Sequence, residues 1–97
     1  MSSKNTILCI PRIRKEEKKI DILVKLKLLK LGYIIKLIES PHKNDKNYKR
    51  LIIIMQFNND KGKEVEAYLK EGNSLKIVYD DPWYWKLVEY RKDYKIE

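Results

Sequence analysis

Aromatic rings and positive charge lie side by side in one short stretch of this chain. The run Leu75–Lys86 (LKIVYDDPWYWK) holds both tryptophans, Trp83 and Trp85, together with Tyr79, Tyr84, Lys76 and Lys86. Indole and phenol rings offer π faces on which nucleic-acid bases stack, and cations beside them hold phosphate. The same rings are also the largest apolar surfaces available to close a small core. Lys43, Lys46, Lys49 and Arg50 form a second basic cluster, with Tyr48 interleaved. Arg12, Arg14, Lys15, Lys18 and Lys19 form a third, and Lys86, Arg91, Lys92 and Lys95 a fourth. Arginine grips phosphate through two parallel N–H bonds, so Arg12 and Arg50 rank first among the contacts expected for a polyanion. The expected nucleic-acid-binding set is Arg12, Arg14, Lys43, Lys46, Tyr48, Lys49, Arg50, Tyr84 and Lys86.

Residues for catalysis are missing from this pattern. His42 is the sole histidine, sits in a lysine-rich stretch and has no partner recognisable by spacing. Asp80 and Asp81 are adjacent, so on a strand their carboxylates diverge, which suits neither a paired acid and base nor a metal. Cys9 is the only cysteine, which rules out an internal disulfide and a cysteine zinc cluster. None of the glycines builds a phosphate-cradling loop. The expectation is a protein that is not an enzyme and carries no cofactor.

With 97 residues and 43% apolar side chains, the chain fits one globular domain, residues 1–97, with a core over about 6–80 and an extension over 81–97. Its net charge of +8 and pI near 9.5 attract polyanions. Ala67 is the only alanine, whereas Ile, Lys, Asn and Tyr are common, as in genes of A/T-rich genomes. Part of the lysine excess therefore has a mutational source. The first residues contain no apolar signal region, and Ser2 stands where myristoylation needs glycine. Asp21, Lys25, Lys27, Lys30 and Lys36 interrupt the apolar stretch Ile20–Ile38, so no membrane span is expected.

The elements that must position these side chains follow from periodicity. Ile7–Ile10 is a short apolar strand ended by Pro11, and Arg12–Lys19 a charged connection. Ile20–Leu31 has helical spacing with Gly32 as its stop. Tyr33–Ile38 is a second strand, Ser40–Asn47 a loop, and Lys49–Phe57 a third strand. Asn58–Asp60 supply caps for a short helix whose Val65, Tyr68 and Leu69 face the core, ended by Gly72-Asn73. Leu75–Tyr79 is a fourth strand. The order βαββαβ predicts an α+β, ferredoxin-like fold: a four-stranded antiparallel sheet with two helices on one face.

One face of such a sheet stays open. Leu8, Ile52, Ile54, Lys76 and Val78 are expected on it, and so many apolar groups require cover. The segment after Pro82 is placed to provide it, with Trp83, Trp85 and Leu87 pointing one way and Tyr84, Lys86 and Val88 the other. On the first helix, Ile20, Val24, Leu28 and Leu31 make one apolar stripe, expected to face the sheet. Ile22, Leu26 and Leu29 make a second, on nearly the opposite side. Lysine stems cover that second stripe, or it meets a homodimer or other partner. The expected partner surface is thus Ile22, Leu26 and Leu29, with Leu8, Ile52, Ile54, Trp83 and Trp85.

Over roughly residues 6–80 the chain resembles an RNA-recognition-motif domain. Val24, Leu28, Leu31, Gly32, Ile34 and Leu37 are similar to that family's first helix running into its second strand, and Gly72, Leu75 and Ile77 to its second helix end and fourth strand. Ile7–Arg12 and Arg50–Phe57 stand where its two signature strands lie. The family stacks bases on open-face aromatics of those strands, whereas the matching positions here are Leu8, Ile52 and Ile54, which have no π face. The combination of Cys9-Ile10-Pro11-Arg12, Tyr48-Lys49-Arg50 and Ile77–Lys86 also resembles small uncharacterised proteins of large nucleocytoplasmic DNA viruses, of marseillevirus and mimivirus type. That resemblance implies a viral gene product acting inside the host cell, in cytoplasm or nucleus, and a candidate for packaging in the virion.

Together these readings predict a small basic protein that binds RNA or DNA without sequence preference. The alternative is a module of the same fold for protein contacts, most simply a homodimer.

Overall fold

A computed structural model describes residues 5–90 of the chain. Its elements run β1 (Thr6–Arg14), α1 (Lys19–Leu28), β2 (Gly32–Pro41), β3 (Tyr48–Phe57), α2 (Asp60–Lys70), β4 (Leu75–Asp80) and β5 (Trp83–Glu89). Among the described residues the architecture is α+β, with two helices and a five-stranded antiparallel sheet in the order β2-β3-β1-β5-β4. β3 has the plainest alternation. Leu51, Ile53, Met55 and Phe57 are buried, whereas Arg50, Ile52, Ile54 and Gln56 are half-buried. The first set meets Ile22 and Leu26 of α1 and Leu69 of α2 in one core, so both helices cover the same sheet face. Fully burying a Leu or Ile side chain stabilises by about 1.5–3 kcal/mol. Leu8, Ile10, Ile13, Leu51, Ile53 and Leu87 on this face have essentially no exposure.

The sheet has one strand more than the sequence predicts. The segment after Pro82 does not lie over the open face. It enters the sheet as β5 and takes the place beside β1 expected for the fourth strand. β4 is pushed to the edge and is joined to β5 by the hairpin turn Asp81-Pro82, whose peptide bond is cis. Burial of Trp85 and Leu87 explains the insertion: both come from β5 and both belong to the core. Tyr79 of β4 stacks on Trp85 with ring centres 4.5 Å apart. At the far end of β5, Tyr90 donates its backbone N–H to the Ile7 carbonyl at 2.9 Å.

Register corrects the expected placing of Leu8. Leu8 pairs with Ile53 and lies in the core, while Cys9 pairs with Ile52 and belongs to the other face. In a strand a one-residue offset moves a side chain to the opposite face. β1 also runs past Pro11 to Arg14, with a register shift between Ile10 and Ile13. Such a bulge accommodates a proline that cannot donate to the ladder, and it makes Arg12 and Arg14 strand residues rather than a connection.

The two stripes of α1 are exchanged relative to expectation, except that Leu31, beyond the helix end, lies in the core as expected. Ile22 and Leu26 are buried and Leu29 packs against the core, whereas Ile20, Val24 and Leu28 are 59%, 50% and 68% exposed. The helix stops at Leu28, and Lys30 takes the left-handed conformation at φ 53°. Asn59 donates its side-chain N–H to the Lys30 carbonyl at 3.0 Å. Gly32 is not the stop but the first residue of β2. A Cβ there would lie 2.1 Å from the Gln56 carbonyl oxygen of β3. At Gly62, which opens α2 under the Asn59 cap, a Cβ would lie 2.0 Å from the Leu31 carbonyl oxygen. The α2 expectation holds for Leu69 and Val65, but Tyr68 is exposed. No helix among the described residues is long and apolar enough to cross a membrane.

Candidate functional site

The face away from the helices is built in rows by strand register. One row is aliphatic: Ile38, Ile52, Cys9 and Val88 stand opposite one another across β2, β3, β1 and β5. Beside it the chemistry changes. Ser40 of β2 pairs with Arg50 of β3, and Lys86 of β5 pairs with Lys76 of β4. Further along, Tyr48 of β3 pairs with Arg14 of β1, and Tyr84 of β5 with Val78 of β4. Glu39 pairs with Leu51 and Glu89 with Leu8, both on the helix side, whereas Asp80 ends β4 opposite Trp83, beyond a register shift.

Two cations sit over rings in this region. The Arg12 guanidinium lies 4.5 Å from the centre of the Tyr48 ring, and the Lys76 ammonium 4.8 Å from that of Tyr84. Each arrangement holds an aromatic ring and a cation side by side. Arg12 also meets Asp45, at 3.6 Å, with 61% of its side chain exposed. An ion pair so exposed is weak. A pocket of about 530 Å³ opens here, lined by Pro11, Arg12, Pro82, Trp83, Tyr84 and Lys86. Arg12, Tyr84 and Lys86, distant in sequence and each expected to contact a polyanion, are thus brought together.

Other predicted contacts are placed differently. Lys49 lies on the helix side, where it donates to the Glu17 carbonyl at 2.6 Å and pairs with Glu39 at 2.9 Å; only 13% of its side chain is exposed. It ties α1's approach to the sheet and is not offered to a ligand, because its register partner, Pro41, belongs to the face opposite Arg50. Arg50 is half-buried on the open face, and its Nε has no hydrogen-bond partner. Lys43 and Lys46 are exposed in the β2–β3 loop, whose shape is held by bonds from Asn44 N–H to His42 Nδ1 and from Asn47 N–H to the Asp45 carboxylate. Arg14 lines a separate depression whose other charged residues are Glu17, Asp21, Lys25 and Asp80, with Trp83 and Trp85 beside them. Arg91, Lys92 and Lys95 lie outside the described residues.

Of the expected partner surface, Leu8, Ile22, Leu26 and Trp85 are in the core and Leu29 packs on it, so they form no outer surface. Ile52 and Ile54 do face the open side. Trp83 is 60% exposed, against 4% for Trp85. Sequence reasoning missed Lys76 as a site residue, although its alternation with Leu75 and Ile77 already placed it on the open face. It also missed the exposed stripe of α1, which continues to Ile35 around a cavity of about 320 Å³ lined also by Leu23 and Ile34. No group of side chains suited to a metal ion exists among the described residues. In comparison with models of known families, with curated proteins and with solved structures, the chain matches none.

Proposed function

We propose that this protein binds nucleic acid, RNA or DNA, through the open face of its sheet, without sequence preference. The observation that carries the reading is the juxtaposition of Arg12, Arg50, Lys76 and Lys86 with Tyr48 and Tyr84 on the face away from the helices. Cations at this spacing neutralise successive phosphates, and rings between them accept bases irrespective of sequence. The net charge of +8 adds long-range attraction. The reading includes an RNA-recognition-motif-like ancestry for β1–α1–β2–β3–α2, altered by the added strand, and a role inside cells infected by a large DNA virus. The test is fluorescence anisotropy with labelled single-stranded RNA, single-stranded DNA and duplex DNA over a range of salt. Affinity falls steeply as salt rises if phosphates are being contacted. Absence of binding at low salt overturns the proposal.

One observation favours a second reading, a protein-interaction module. Ile20, Val24, Leu28 and Ile35 are exposed apolar residues of α1 and of β2, the edge strand of the sheet among the described residues. Such residues suit a second copy of the chain or another protein. Light scattering decides it: a dimeric mass that Val24→Glu converts to a monomer supports this reading, and a monomeric parent removes self-association.

A further inference from the structure

We infer that the pocket between Pro11 and the Asp81-Pro82 turn takes one unpaired nucleotide, which makes the protein selective for single-stranded over duplex nucleic acid. The inference rests on the nucleic-acid reading above and narrows its substrate class.

The pocket's lining divides into two chemistries. Pro11, Pro82, Trp83 and Tyr84 supply flat apolar walls, and Arg12 and Lys86 supply positive charge, with no carboxylate among the described lining residues. Its volume, about 530 Å³, falls within the range of small-ligand sites and exceeds what a lone phosphate needs. A ligand that uses both parts must join a planar π surface to an anion within a few ångströms, as a nucleotide does. In a duplex the base faces are covered by their neighbours, and only phosphates are presented. A duplex can therefore meet Arg12 and Lys86 but leaves Trp83 without a partner. An unpaired nucleotide satisfies both. Trp83 is 60% exposed and stands between this pocket and the depression lined by Arg14 and Asp80, whereas its neighbour Trp85 is committed to the core and to the Tyr79 ring. This pocket sits at the β4–β5 hairpin, not on the central β1–β3 pair, whose open face holds Ile7, Cys9, Ile52 and Ile54.

The test uses the full chain and labelled oligo-dT. Its affinity is compared at fixed salt with that for the same strand carrying abasic sites and for its duplex with oligo-dA. Intact single strand should bind about tenfold more tightly than either, as expected for a base stacked on an aromatic side chain. Trp83→Ala should remove about that factor for the intact strand and leave the abasic strand unaffected, while Trp83→Phe keeps most of it. Arg12→Ala should weaken all three ligands. Equal affinity for intact, abasic and duplex forms, with Trp83→Ala silent, overturns the inference and leaves the nucleic-acid reading standing. No binding to any form at low salt overturns both.

Discussion

Trp83 and Trp85 stand two residues apart on one strand, yet they face different environments. Trp85 is walled in by Ile77, Leu87 and the Tyr79 ring, so replacing it leaves a large cavity. Trp85→Ala should cost about 3–5 kcal/mol in urea unfolding, whereas Trp83→Ala should change stability by no more than about 0.5 kcal/mol. Strand periodicity separates Trp83 and Trp85 from Tyr84 and Lys86, and that division is legible in the sequence. The difference between the two tryptophans is not. Trp83 opens β5 opposite Asp80, after a register shift in β4, and borders an open depression shared with Asp21 and Lys25 of α1. A similar distinction divides the cations. Lys49 and Arg50 are neighbours in one basic cluster, but pleating sends Lys49 to Glu39 and Glu17 and leaves Arg50 on the open side. Lys49→Ala should destabilise by about 1–2 kcal/mol through its lost hydrogen bonds and leave the salt dependence of binding unchanged. Lys86→Ala should leave stability within about 0.5 kcal/mol. It should also lower the log–log salt slope by about 0.7–0.9, the value of one phosphate contact.

At the scale of elements, α1 explains why a helix can be legible while its orientation is not. Ile20, Val24, Leu28 and Leu31 form one apolar stripe and Ile22, Leu26 and Leu29 another, so the spacing alone is satisfied by either face. The choice is made at the ends. The Lys18 and Asp21 backbone turn fixes the entry, and the left-handed Lys30 with its Asn59 contact fixes the exit. Between these anchors Ile22 and Leu26 enter the core and Leu29 packs against it. The two stripes therefore respond differently to substitution. Leu26→Ala should cost about 2–5 kcal/mol. Val24→Glu, on the exposed side, should leave the unfolding midpoint nearly unchanged and act on association state alone. Circular dichroism during denaturation, with light scattering on the same samples, separates the two effects. If Val24→Glu unfolds the protein, α1 is rotated relative to this arrangement.

At the scale of the whole molecule, the order of helices and strands through β4 follows from periodicity and turn residues, but the order of strands in the sheet does not. The alternation of Leu75, Ile77 and Tyr79 with Lys76 and Val78 serves an edge strand as well as a central one. Pro82 and the rings after it resemble a tail packed on a finished sheet, because a proline is a usual place for a strand to end. What settles the matter is tertiary: β1 needs a partner on its second side, and β5 supplies Leu87 and Trp85 to the core while β4 closes the edge with Lys76 and Asp80 facing water. The same insertion builds the candidate site, since it carries Tyr84 and Lys86 to within one pocket of Arg12. A proline in β5 tests this dependence. Val88 pairs with Cys9, and its neighbour Tyr90 donates to Ile7, so the β1–β5 ladder runs through this point. Val88→Pro removes an N–H from a strand held in the sheet interior and should cost on the order of 3 kcal/mol, read as a lowered thermal midpoint. It should also weaken nucleic-acid binding, because the pocket loses the strand that carries Tyr84 and Lys86. Were β5 only an extension lying outside a four-stranded sheet, Val88→Pro would leave the midpoint where it is, and that result would remove both the strand order and the site built on it.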